Sequence, residues 1–536
     1  MSDEPKNLFS EPTMTTQRKK RKKAKSAQVF KPYVQDQNML LPPSLEELIP
    51  EKHLVRVVNT TIEGLKLDAL LATYKGGGAS AYYPKMLLKV LIYAYLSKIY
   101  SSRQIAKALR QDIHFMWLSG MQQPEFSIIN HFRSSRLKYV IDEVFGSMVF
   151  FLIDKKYIDL HEYFVDGTKL RADNNKHKVV WAKNTKRYKE MVQKKIREHL
   201  QEIERMNTQE NQSYGKNDLA EMGEQTTLTS NSVKEQIEHL NETLQSSQAP
   251  KQVAKAVNNI EKKLLPKLEK YEQQECILAG RNSYGKTDPD ATVFRMKDDQ
   301  LLAGYNILLG TQHQFIVNYN LHQQKASESD ALPAHLERLH HLIGQVPEEM
   351  MGDSAFGSQE NYSILARHNI GNYLKYNTFH REKTKKYCND PYRKEHFAYD
   401  ATSDTYTCPQ TRTLVFKEQK TITTANAYQT LVRMYQSADC SNCPVAVLCK
   451  SGEGNRTIQI NRMLEAYRAQ ARQNLDSERG RDLRKRRGVD VEPVFGDIKF
   501  NQGYIRCRLR GKEKVNVEIA LLSIAHNTKK VAYWAN

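Results

Sequence analysis

From about residue 40 to 155 the apolar residues of this chain recur every three or four positions. At Tyr163-Phe-Val-Asp166 that period collapses into a short solid apolar run, which ends on a carboxylate before Gly167-Thr-Lys169. A 3.6-residue period buries one stripe of a helix, whereas a short solid run suits a strand covered on both faces. The alternation returns downstream. Tyr305-Asn-Ile-Leu-Leu309 and Gln314-Phe-Ile-Val-Asn-Tyr-Asn-Leu321 read as strands joined by a polar turn, and a helix follows through Leu332, Leu336 and Leu339. Glu349-Met-Met-Gly-Asp353 then approaches a second carboxylate, a helix starts at Ser358, and Asn372-Tyr-Leu-Lys-Tyr376 reads as a further strand. This order predicts an α/β core, a mixed sheet flanked by helices, with Asp166 and Asp353 at strand ends where metal ligands are presented. An Asp before a Gly is also ordinary turn chemistry, so Asp166 does not identify a site by itself.

Ahead of this core, Pro84 opens a helix that buries Leu87, Leu88, Leu91, Ile92 and Tyr95. Ser101 or Ser102 caps a second helix, and Ser127 caps a third with Ile128, Ile129, Phe132 and Leu137. The third also carries Asn130, His131, Arg133 and Arg136, and the pair resembles a helix-turn-helix DNA reader with a long connector. An all-α DNA-binding domain over 39–155 is therefore expected, although a plain helical bundle fits the same residues. Residues 1–38 include Arg18-Lys-Lys-Arg-Lys-Lys-Ala-Lys25, a like-charge run expected to be a disordered tail that holds phosphates nonspecifically.

Two insertions divide the core into 156–183, 276–377 and 476–536. Residues 184–275 read as a helical or coiled-coil arm, from Val253, Val257, Ile260, Leu264 and Leu268, with a polar tip over 208–231. Residues 378–475 contain Cys408, Cys440, Cys443 and Cys449, whose thiolates suit tetrahedral structural Zn(II). Reduced structural thiols and an iron–sulfur centre are the alternatives.

In Asp490-Val-Glu-Pro-Val-Phe-Gly-Asp-Ile-Lys499, Val491, Val494, Phe495 and Ile498 form one apolar helical stripe. Asp490 is expected to cap that helix, which makes Pro493 tolerable in the first turn. Glu492, Gly496 and Lys499 share a flank, as a metal ligand beside a phosphate contact would. A solvated amphipathic helix is the bland reading. Arg506, Arg508 and Arg510 follow and suit a DNA backbone track.

With 81 Lys and Arg against 61 Asp and Glu, the net charge of +20 favours a polyanion, nucleic acid ahead of an anionic membrane surface. No apolar run is long enough to span a bilayer and no leader pattern opens the chain, so no membrane role and a cytoplasmic location are expected. The odd count of seven cysteines fits reduced thiols better than a disulfide framework.

Six stretches have a more specific meaning together. Asp166-Gly-Thr-Lys169, Thr287-Asp-Pro-Asp-Ala-Thr292, Gly304-Tyr-Asn306, Gly352-Asp-Ser-Ala-Phe-Gly357, Val491 to Lys499 and Leu509-Arg-Gly-Lys512 resemble the ordered blocks of bacterial insertion-sequence transposases of the DDE superfamily. The nearest group is the insertion-sequence family numbered eleven eighty-two. The resemblance runs from about residue 40 to the C-terminus. It implies a ribonuclease-H-like core in which Asp166, Asp353 and Glu492 hold two Mg(II) or Mn(II) ions, and an N-terminal domain that recognises transposon ends. Lys499 matches a lysine that many relatives carry seven residues after the glutamate. Lys485 and Gly488 stand where those relatives have a tyrosine and an arginine, which leaves Arg484, Arg486 and Arg487 for phosphate work. The implied activity is strand cleavage at terminal inverted repeats and 3′-OH transfer into target DNA, by at least a dimer because two ends are paired. The rivals are a metal-dependent nuclease of the same fold, which would not join ends, and a decayed or repurposed DNA-binding protein, which would not need all three acids.

Overall fold

The computed structural model describes residues 44–74, 80–214, 228–246, 251–323, 328–424, 426–450 and 452–534. The basic run at 18–25 and most of the polar tip at 208–231 lie outside them. Residues 44–48 form one unit, with a short helix Leu45–Leu48, and 49–536 form the other.

The strands, in chain order, are β1 (Glu162–Arg171), β2 (Val179–Trp181), β3 (Ser283–Gly285), β4 (Thr292–Arg295), β5 (Leu301–Gln312), β6 (Phe315–His322), β7 (Glu349–Gly352) and β8 (Gly371–Leu374). One sheet runs β4-β5-β1-β7-β8, with β6 also paired to β5, and β2 pairs with β3 separately. β1 is antiparallel to β5 and parallel to β7, and β7 is parallel to β8. The sheet is mixed and the architecture α/β. Phe164 and Val165 are both fully buried although they point to opposite faces, which is why this run reads as solidly apolar.

The last helix, Lys512–Trp534, is the pillar of the molecule: a continuous stretch from Val517 to Thr528 is buried. It packs against β6 and against the helices Leu54–Glu63, Pro84–Leu96 and Ile141–Asp154. A single apolar core accordingly extends from Ile49 to Val531, so packing continues across residue 155 between the N-terminal helices and the sheet. Asn527 accepts from Ile316 N and donates to Ile316 O, both at 2.8 Å, satisfying the backbone of β6.

Several local expectations are corrected. The connector before the third N-terminal helix holds another helix, Ile113–Ser119, whose N-cap Asp112 accepts from His114 N. The third helix, Phe126–His131, begins after Glu125 and not at Ser127. Asp166 lies inside β1, not at its end. The 184–275 region is more than a hairpin: Ala182–Tyr214, Ser230–Ser246, Lys251–Asn259 and Leu265–Leu278 enclose an apolar cluster of their own. Leu228, from the stretch that looked polar, and Val233, Ile237 and Leu240 just beyond it supply that cluster. The Cys-rich insertion carries a five-stranded antiparallel sheet, β9 (Ala398–Asp400), β10 (Thr405–Thr407), β11 (Thr413–Thr423), β12 (Gln429–Ser437) and β13 (Thr457–Ile460). Most of β11 is exposed, which removes the apolar alternation that would have announced it.

Asp490 does not cap the helix that carries Glu492. That helix spans Glu478–Gly496 with Ser477 as its N-cap. Asp490 is buried within it, accepting from Thr311 Oγ1 at 2.6 Å and from Gln314 N at 3.2 Å. Pro493 thus sits in the helix interior, where it cannot donate to the carbonyl of Val489.

Candidate catalytic site and basic surface

Parallel pairing brings the first two acids together. Val165 of β1 lies opposite Gly352 of β7, so the next residue of each strand, Asp166 and Asp353, emerges at the same end of the pair. β1 continues, with Asp166 opposite Leu309 of β5. β7 stops, and Asp353 accepts from Ala355 N at 2.8 Å to cap the Ser354–Phe356 turn.

The third acid arrives on the Glu478–Gly496 helix, which an ion-pair cluster docks onto the strands. Glu162 and Glu349 stand opposite each other in the β1–β7 register. Arg479 donates to Glu162 Oε1 at 2.8 Å and to Glu349 Oε2 at 2.9 Å, and Arg486 pairs with Glu162 as well. Further along, Arg487 reaches Asp166 Oδ2 at 2.9 Å and Glu492 Oε1 at 3.3 Å. One guanidinium therefore joins the strand acid to the helix acid.

Burial pushes the Asp166 carboxyl above its ordinary range; Asp353 and Glu492 push the same way, against Arg487 and the Gly167 N–H. Lys375, the residue after β8, is lowered by burial and by Arg487 and Arg484, while Asp353 and Glu492 draw it upward. It belongs electrostatically to this cluster, and sequence reasoning missed it. The signal was available: a lysine ends an apolar strand just as Asp353 ends its neighbour. Lys499 donates to Thr168 Oγ1 and to Lys169 O. Thr168 is two residues past Asp166, on the same face of β1. Burial and Lys297 bring the Lys499 ammonium down to about 8. A Cβ on Gly496 would meet nothing within 4 Å, so the backbone there borders open space.

The basic candidates divide. Arg133 is a correction: it is 4% exposed and donates to Tyr100 O and Ser102 Oγ, so it offers no surface charge. Arg136 is half-buried, on Thr73 O and over the Tyr74 ring. Arg486 is tied to Glu162, and Arg484 lies over Phe379. Arg506 and Arg510 share Asp173 and stay at the surface; Arg508 is exposed over Tyr100.

The resembling blocks meet in space. Asp288 accepts from Tyr305 Oη and from Gly511 N at 3.1 Å, and Asp290 accepts from Lys512 N at 2.7 Å. Cys408 joins Cys440, Cys443 and Cys449, which lie 32 or more residues on in the sequence, in lining one small cavity at the side of the β9–β13 sheet. Burial raises the Cys449 thiol, with Cys408, Cys443 and Cys440 adding to the shift.

Residues 407–532 match a family described as Transposase DDE domain, and residues 43–135 match one described as Transposase domain (DUF772). The chain belongs to the DDE-type insertion-sequence transposases. No curated protein matches it. The DDE match contains Glu492 and the four cysteines but stops short of Asp166 and Asp353, which join this transposase's glutamate through the strand register and Arg487. DDE transposases use divalent metal ions. Among the described residues no three His, Cys, Asp or Glu side chains are gathered closely enough to hold one. The donor chemistry still fits, because the Arg487 cation lies between the Asp166 and Glu492 oxygens, where a divalent ion would supply positive charge to the same carboxylates. No helix among the described residues is long and apolar enough to cross a membrane.

Proposed function

We propose that this transposase binds the terminal inverted repeats of an insertion sequence, cleaves DNA there with divalent metal, and transfers the freed 3′-OH into target DNA. The convergence of Asp166, Asp353 and Glu492, from β1, the end of β7 and the Glu478–Gly496 helix, carries the reading. The antiparallel β6-β5-β1 and parallel β1-β7-β8 arrangement supports a ribonuclease-H-like core. The three acids would hold two Mg(II) or Mn(II) ions, which when bound activate the attacking oxygen and stabilise the leaving 3′-oxygen. Arg487 keeps Glu492 beside Asp166, and Lys375 and Lys499 add positive charge where a phosphodiester arrives.

In the same reading the helices of 39–155 recognise the transposon ends and the cysteine cluster is a structural Zn(II) site. The working unit is at least a dimer, the compartment is the bacterial cytoplasm at the nucleoid, and the nearest relatives are the family numbered eleven eighty-two. The test is metal-dependent cleavage and joining of a labelled duplex carrying the element's terminal repeat, with wild type beside Asp353→Asn and Glu492→Ala. Joined product is expected from wild type alone, with DNA binding kept in both variants. Cleavage without joining identifies a nuclease, binding without cleavage by the wild type a noncatalytic protein, and persistent cleavage in either variant removes the acids from the mechanism.

A further inference from the structure

The elements that carry Asp353 and Glu492 meet again at a distance from the carboxylates. The turn that Asp353 caps, Ser354–Phe356, passes through Gly357 and Ser358 directly into the helix Gln359–Arg367. Asn361, buried in the first turn of that helix, donates to Phe356 O at 2.9 Å and to Ser329 O at 3.1 Å, so the Asp353 turn moves with the helix. Gly357 closes the other side: a Cβ there would lie 2.4 Å from Lys375 O, too close for any side chain. Glu492 is reached from the Cys-rich insertion. Asn461, just past β13, caps the Arg462–Asp476 helix by accepting from Leu464 N at 2.9 Å, and Ser477 alone separates that helix from Glu478–Gly496.

One side chain joins the two. Gln359 Oε1 accepts from Asn461 Nδ2 at 2.6 Å and from Thr430 Oγ1 of β12, while Gln359 Nε2 donates to Tyr428 Oη at 3.2 Å. Asn461 also donates to Thr430 Oγ1 at 2.8 Å, which closes a polar knot. Beside it Glu360, also buried, accepts from Asn426 Nδ2 at 3.0 Å in the β11–β12 turn. Tyr362 of the same helix lies 6.1 Å from the Tyr467 ring of the Arg462–Asp476 helix and donates to Leu374 O at the end of β8. The Gln359 bonds are neutral and directional, so they fix an orientation and add no charge. We infer that Gln359 is a positioning residue for the metal-binding acids, through which the Cys-rich insertion sets the spacing of Asp353 and Glu492. The inference rests on the reading of those acids as metal ligands. Gln359 touches neither of them, yet a shift of about 1 Å at a reacting group can cost about a hundredfold in rate.

The test compares wild type with Gln359→Leu, which removes the polar bonds at similar volume, and Gln359→Glu, which keeps both acceptor contacts and lets the Tyr428 hydroxyl donate in turn. Mn(II) binding to the full chain is followed by electron paramagnetic resonance, and cleavage of the terminal-repeat duplex by kcat and KM. Gln359→Leu should bind Mn(II) about tenfold more weakly and cut with a kcat lower by about tenfold or more, at unchanged KM for DNA. Gln359→Glu should restore both. If Gln359→Leu does not fold, Thr430→Val takes its place, with a smaller loss of the same kind. Wild-type Mn(II) affinity and kcat in the folded variant, or a loss that Gln359→Glu does not restore, overturn the positioning role and leave the transposase reading standing. A wild type that neither binds Mn(II) nor cleaves overturns both.

Discussion

Gln314 donates its side-chain amide to the carbonyl of Val489 at 2.8 Å, and Val489 is the residue four before Pro493. The proline has no N–H for that carbonyl, so a residue from the β5–β6 turn closes the gap in the helix that bears Glu492. The backbone of that turn presents Gln314 to the helix, with His313 (φ 53°) and Gln314 (φ 64°) both left-handed, as a two-residue hairpin turn requires. Gln314 also donates its backbone N–H to Asp490 and accepts from Lys530 through its side chain. We expect Gln314→Ala to cost about 1 kcal/mol in denaturant unfolding and to slow cleavage more than DNA binding. Gln314→Gly loses the same side-chain bonds but relieves the left-handed backbone, so its stability should fall between those of wild type and Gln314→Ala.

Arg479 neutralises two neighbouring carboxylates, Glu162 and Glu349, at the start of the parallel pair. Glu162 is 5% exposed and cannot recover in water what it loses. Arg479→Ala should destabilise the fold by about 2–3 kcal/mol, because Arg486 still serves Glu162 but Glu349 is left without its cation. Arg479→Ala/Glu349→Gln should recover part of the loss. Equal melting of the single variant and wild type would contradict this account.

Lys499 supplies a pH signature. Its folded pKa of about 8 lies below its ordinary 10.5. The folded state prefers the neutral amine; this contribution to stability is full above pH 10.5 and is lost as pH falls through 8. At neutral pH the wild type carries that loss, so Lys499→Met should be more stable there, by about 1–2 kcal/mol because the amine remains partly solvated. The advantage should shrink as pH rises from 8 toward 10.5, and end cleavage should slow with loss of a phosphate contact. Melting curves of both proteins across that range decide it; a gap that does not change with pH would contradict the linkage.

The cysteine cavity calls for metal analysis. Protonated thiols cannot ligate, so zinc binding releases their protons and stabilises the sheet they flank. Purified protein should contain about one zinc per chain. Chelation or Cys443→Ser should lower the melting of the β9–β13 region. Protein that is zinc-free by elemental analysis and unaffected by chelator would assign the cavity to reduced thiols.

The alternation of helical stripes with short apolar runs that end in acids determined that the chain would be α/β, and it marked Asp166 and Asp353, because burial on both faces of a strand leaves a plain apolar signature; Glu492 was marked instead by its place on the flank of an apolar helical stripe. The β9–β13 sheet left no such trace, since β11 is mostly exposed. Val233, Ile237 and Leu240 were hidden for another reason: they bury only against other helices of the arm. Tertiary structure alone decided which arginines face solvent. Arg133 and Arg508 look alike as letters, but one lies under the Ser102–Gln111 helix and the other over Tyr100 in solvent. It alone also decided that a proline could stand inside the helix that carries Glu492, because the missing hydrogen bond is supplied by Gln314, 175 residues away in sequence. Local sequence sets which face of an element is apolar; the partner that satisfies each polar group comes from wherever the fold brings it.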